Sequence, residues 1–190
     1  MFSIPPLPPW DGMHPIVVHY PIALIIVAPL FVVLALVWKK QARVLLVSGA
    51  VLMALAAGGA WLATSTGSAA EDYAERVPGA RPVVHEHEEL AEAARNFATA
   101  LAGVLAIGAG FFWMRGENVR RGVFLGAGLV YLIANGAGAI AMASAAHQGG
   151  RLVHELGVRA RLSESAGGPA PVSEADSTRP LEPNESGDDD

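Results

Sequence analysis

The sequence predicts an all-α protein, a four-helix transmembrane bundle with a disordered acidic C-terminal tail. Three observations predict it. Hydrophobic residues make up 52 % of the 190-residue chain and charged residues 16 %, where soluble domains average roughly 45–50 % and about 25 %. Four apolar runs, each long enough to cross a bilayer, carry no charge. The last stretch is the reverse, rich in Ser, Gly, Pro, Glu and Asp and ending Asp188-Asp189-Asp190.

Residues 1–14 form a Pro-rich surface lead-in without Lys or Arg, so they lack the basic start of a cleaved signal peptide. The first span covers about 15–38, and no charge falls between Asp11 and Lys39. A helix of that length rises about 36 Å, enough for a hydrocarbon core of about 30 Å. Pro21 and Pro29 should bend it, since each removes a backbone hydrogen bond. The second span, about 44–64, begins an uncharged run that continues to Ala70. The third, about 83–114, starts polar and becomes an apolar run from Phe97 to Met114. The fourth, about 120–147, holds the run from Gly122 to Ala146. The membrane domain is thus 15–160. Residues 161–190 are too polar to bury a core and read as disordered.

Lys39, Lys40 and Arg43 lie between spans one and two, and Arg115, Arg120 and Arg121 between spans three and four. By the positive-inside rule these two tight turns face the cytoplasm. Both termini and the loop 65–82 then face outward, in a multi-pass protein of the bacterial inner (plasma) membrane. Trp38 and Trp113 fall at the inner ends and Trp10, Tyr20 and Trp61 near the outer ends, as an interfacial belt requires. Gly58, Gly59, Gly103, Gly108, Gly126, Gly128, Gly136 and Gly138 supply small surfaces for close helix packing, or room for a flat cofactor.

All six histidines fall at the outer ends: His14 and His19, His85 and His87, His147 and His154. Helical spacing puts His85 with Glu88, Glu89, Glu92 and Asn96 on a polar face. It puts His87 with Leu90, Ala91, Ala94, Ala98 and Leu101 on an apolar, inward one. His147 shares a stripe with Ala143, Ile140, Ala139 and Gly136 and is expected to point inward. His19 lies one turn inside the first helix, above Ile22, Ala23 and Ile26. His14 precedes Pro15 and reads as a helix-start residue. Glu86, Glu88, Glu89 and Glu92 suit the positive end of the helix dipole, and Glu88 is placed to support a ligand.

Several chemistries are excluded. The chain has no cysteine, so thiolate metal sites, iron–sulfur clusters and c-type haem attachment do not arise. A net charge of −5 offers no basic face to a nucleic acid. Neither an H-E-x-x-H pair nor a G-x-S-x-G elbow is present, so no catalytic residue is assigned. The chain reads as an electron-transfer or accessory subunit rather than an enzyme.

The motifs together resemble a family. HPIVVHYPIAL (His14 to Leu24) is similar to the HPxxVHFPIAL opening of a widespread family of small four-helix bacterial membrane proteins of unknown function. WLATSTG (Trp61 to Gly67), HEELAE (His87 to Glu92) and HQGGRLVHELG (His147 to Gly157) resemble its later motifs in order. Members occur alone or fused to cytochrome c-type or Rieske-type modules, which implies redox work at the outer face. By position the matching histidines are His14, His19, His87 and His147. His154-Glu155-Leu156 departs from the family pattern, so His154 is not assigned as a ligand.

Three functional expectations follow. The first is an electron-transfer subunit holding haem b through His19, His87 and His147. The second is a non-haem transition-metal site built from His14, His19, His87 and His147, with Glu88 behind them. The third is a cofactor-free accessory or scaffold subunit. The expected partners are the lipid bilayer and periplasmic or membrane redox proteins, with no nucleic acid.

Overall fold

A computed structural model describes residues 7–160. The acidic tail and the first six residues of the lead-in lie outside the described residues. After a single 3-10 turn at Trp10–Gly12 the chain forms one helical turn, α1 (His14–Val17), then α2 (His19–Val37), α3 (Ala42–Ala74), α4 (Arg81–Arg115) and α5 (Arg121–His154). Short 3-10 turns at Lys39–Gln41 and Gly116–Asn118 join α2 to α3 and α4 to α5. Four helices are long and apolar enough to cross a bilayer, α1 and α2 together making the first. Among the described residues there is no strand.

The break between α1 and α2 falls at Val18, next to the carbonyl of Val17 that the ring of Pro21 crowds. Pro29 sits inside α2 without interrupting it. The expected outer loop 65–82 contracts, because α3 continues to Ala74 and α4 starts at Arg81. Charge marks where lipid ends, but a helix ends only where the backbone is broken. Here the breakers are Pro78 and Gly79, the latter at φ +79°. Likewise α5 runs through Gly149 and Gly150 to His154, past the expected end of its span. With 33, 35 and 34 residues, α3, α4 and α5 are each about 50 Å long, some 20 Å more than a hydrocarbon core. The surplus stands at the end carrying Glu71, Glu86, Glu88, Glu89 and Glu92.

The helices pack in the cyclic order α2, α3, α4, α5. Their core is small-residued: Ile25, Ala28 and Val32 of α2 meet Met53 and Ala56 of α3, Ala98 and Leu101 of α4, and Tyr131 of α5. Asn135 is buried in this core, its side-chain amide 4.0 Å from the Met53 sulfur. Of the eight glycines expected at helix contacts, Gly59 lies under Tyr20, Gly128 under Leu36, and Gly138 beside Leu101. Gly58, Gly103, Gly108, Gly126 and Gly136 meet nothing within 4 Å and face away from the bundle. Lipid is as apolar as a helix interface, so composition does not separate the two surroundings.

Candidate functional site

Two histidines from opposite halves of the chain meet at the acidic end of the bundle. The rings of His14 and His87 lie 5.9 Å apart, centroid to centroid, edge to face at 86°. His14 Nδ1 is 2.8 Å from the carbonyl oxygen of Ala63 on α3. His87 Nδ1 is 2.8 Å from the carbonyl oxygen of Ala145 on α5. A carbonyl only accepts, so each Nδ1 carries the proton and donates it. In the neutral ring Nε2 is then left as a lone-pair donor.

Each ring is seated on a glycine. A methyl built at Gly67 would lie 3.2 Å from His14 Cε1, and one at Gly149 would lie 3.1 Å from His87 Cε1. Ala63 and Gly67 are four residues apart, as are Ala145 and Gly149, so carbonyl and seat are stacked on one helix face. The device therefore occurs twice, once in the α1–α3 half and once in the α4–α5 half. The residue before each glycine is a buried polar one. Thr66 donates its hydroxyl back to the carbonyls of Leu62 and Ala63. Gln148 accepts a hydrogen bond from Arg151.

The pair stands between two cavities. The outer one, about 170 Å³, is rimmed by Asp11, Glu71, Glu88 and Glu92 over an apolar wall that includes Ala74, Val84 and Leu152. The inner one, about 50 Å³, is lined by Pro21, Ile22, Ala60, Met142 and Ala145. His14, Thr64, His87 and Ala91 belong to both walls. A group held at the imidazoles would have above it a mouth in which the rim carboxylates, Glu92 already paired with Arg95, outnumber one cation, Arg159, and below it an apolar chamber. One helix turn further in, the Arg95 guanidinium lies 4.1 Å over the Trp61 ring, and Trp61 donates to the Thr99 hydroxyl, tying α3 to α4.

His87 faces inward with Ala94, Ala98 and Leu101, all buried. Glu88 lines the outer cavity. His19 is exposed and bonds the carbonyl of Pro15 in its own turn at 2.7 Å. Five residues beyond His14 is about 140° round a helix, so the two cannot share a face. The expected inward orientation of His147 is also corrected: it is exposed, and α5 buries Tyr131, Asn135, Gly138, Met142, Ala145, Gln148 and Leu152 instead. The trio His19, His87 and His147 therefore does not converge. His85 is exposed, 3.3 Å from Glu75, and His154 is exposed.

Sequence reasoning missed the two glycine seats. The repeated A-x-x-x-G spacing in ATSTG and AAHQGG was the available signal. It also missed Glu71, Glu75 and His85, whose ligand atoms lie within 4.8 Å of one another. Glu75 is already held by Arg81 at 2.8 Å, which supplies the positive charge that a metal ion would otherwise bring.

Neither the curated proteins nor the solved structures contain a match to this chain. The description of one family does match, over residues 11–161, from the turn before His14 to just beyond α5, and so over both halves of the histidine pair. With four bilayer-length helices and that match over most of its length, the chain is a membrane protein and belongs to the predicted membrane protein family DUF2231.

Proposed function

We propose that this protein is a redox subunit of the bacterial inner membrane that holds a transition-metal ion between His14 and His87. The observation that carries the reading is the hydrogen bonding of the pair. Both Nδ1 atoms are committed to main-chain carbonyls at 2.8 Å, which fixes the tautomer and leaves each Nε2 with a lone pair, on two residues that line one cavity. Metal-bound histidines are oriented by such a second hydrogen bond. Imidazole suits zinc, copper, iron and nickel. Two protein ligands leave coordination positions open for water or for a donor from the outer cavity. The carboxylates of Glu71 and Glu88 around the mouth favour a cation there, Glu92 being already paired with Arg95.

Haem fits less well. Of His19, His87 and His147, His87 alone lines the cavity, so the geometry favours a small ion over a porphyrin ligated by that trio. The redox assignment rests on the resemblance to proteins fused with cytochrome c-type and Rieske-type modules. The placement of both termini on the periplasmic side rests on the basic turns at the opposite end.

The test is to express the full chain with added haem precursor and trace metals, and to record oxidised and reduced absorption spectra beside metal analysis. The expected result is bound metal without a Soret band. A Soret band with sharp reduced bands would replace this reading with the haem one. Neither metal nor haem would leave a cofactor-free subunit whose histidines only latch helices.

A further inference from the structure

The two ends of the bundle treat their cations differently. At the histidine end Arg81 pairs with Glu75, Arg95 with Glu92, and Arg151 with Glu155, and among the described residues there Arg76 and Arg159 form no ion pair. At the other end Lys39, Lys40 and Arg43 lie on the turn into α3, and Arg115, Arg120 and Arg121 on the turn into α5. Among the described residues none of Lys40, Arg43, Arg115, Arg120 and Arg121 forms an ion pair.

The fold gathers these cations instead of spreading them. Lys39 Nζ donates to the carbonyl of Val119, which ties the first turn to the second. The Arg43 guanidinium lies directly over Gly116, at φ +55°, where a side chain would collide with it. Six basic residues therefore converge on one rim, and Glu117 is the single acidic residue in the two turns. The start of α5 opens on the same rim with no side-chain cap, so its first amides point outward with the positive end of the helix dipole, whereas the first amide of α3, on buried Ala42, is already bonded to the Lys39 carbonyl. Trp38 and Trp113, 55 % and 57 % exposed, stand at the same level.

We propose that this rim is a binding surface for anionic phospholipid headgroups. Like charges crowded at a membrane surface repel one another, and a row of lipid phosphates removes that repulsion. Arginine meets phosphate bidentately, and the uncapped start of α5 meets it through main-chain amides. The rim belongs to the opposite end from the histidine pair, so the proposal stands whatever the pair binds.

The experiment uses the full chain in nanodiscs of equal phosphatidylglycerol and phosphatidylcholine, with the retained lipids counted by native mass spectrometry. Wild type is expected to retain phosphatidylglycerol selectively. Each basic residue near an anionic surface changes binding about fivefold, so the triple variant K40Q/R120Q/R121Q should lose about a hundredfold of that preference. The outer-end triple R76Q/R81Q/R159Q, with the same charge change, should keep it. The milder K40Q/R115Q variant serves if the triple does not fold, and should lose about twenty-five-fold. Equal retention of both lipids by wild type would overturn the proposal, as would equal losses in the two triples. Displacement of phosphatidylglycerol by an equal concentration of inorganic phosphate would overturn it too, since it would show a free-anion site.

Discussion

Replacing Gly149 by alanine tests the seat of His87, and replacing its neighbour Gly150 provides the control. A methyl at Gly149 lies 3.1 Å from His87 Cε1 and 3.5 Å from Nδ1. Carbon contacts settle at about 3.5–4.0 Å, so the ring must retreat by about 0.5 Å. That stretches the 2.8 Å bond to Ala145 to about 3.3 Å, past the ordinary range for such a bond. Overpacking costs about 1–3 kcal/mol, while alanine gains about 1 kcal/mol over glycine inside a helix. The net loss of stability should therefore be about 0–2 kcal/mol. Metal sites tolerate ligand displacements of only about 0.2 Å, so ion affinity should fall far more than stability does. A methyl at Gly150 meets nothing within 4 Å, so Gly150→Ala should raise stability by about 0.5–1 kcal/mol and leave affinity unchanged. Thermal unfolding in detergent and competitive metal titration read the two quantities. Identical behaviour of the two variants would refute the seating argument.

Other outcomes follow from the same geometry. His14→Gln and His87→Gln should each lower stability by about 1 kcal/mol through the lost carbonyl bond, whereas His19→Gln and His147→Gln should stay within about 0.5 kcal/mol; chemical denaturation of the four variants checks this. Gly116→Ala should cost about 2 kcal/mol or more, from its positive φ and the displaced Arg43 guanidinium. Gly79→Ala, also at positive φ but with open space around it, should cost about 1 kcal/mol, as thermal midpoints would show. Because the chain has no cysteine, single-cysteine labelling is clean: a membrane-impermeant maleimide should reach Asp72→Cys in intact cells and Lys40→Cys only after permeabilisation. The opposite pattern would invert the proposed orientation.

The spans were legible because twenty uncharged residues in lipid have one backbone solution, a helix that satisfies its own hydrogen bonds. The inward face was legible only where a helix carries a polar one. Glu89 and Glu92 fixed the outward side of α4, and with it the orientation of His87. In α5 both faces are apolar and rich in Ala and Gly, so nothing local separated the face of His147 from that of Ala145. Both α3 and α5 run past the expected spans for a related reason. Glu71 ends the uncharged run, but Pro78 and Gly79 mark the end of the helix. His14 does open α1, as its place before Pro15 indicated, but its further contacts were hidden because Ala63, Gly67 and His87 lie on other helices far along the chain. A contact of that range leaves no local periodicity. What the sequence did hold was the same four-residue spacing written twice, before Gly67 and before Gly149.

The central claim is that His14 and His87 act together as ligands. The most direct test is the metal content of the purified full chain beside that of the H14Q, H87Q and H19Q variants, with all four confirmed as folded. The account predicts a stoichiometric ion in wild type and H19Q, and its loss in both H14Q and H87Q. Undiminished metal in either of those two, or equal loss in H19Q, would contradict it.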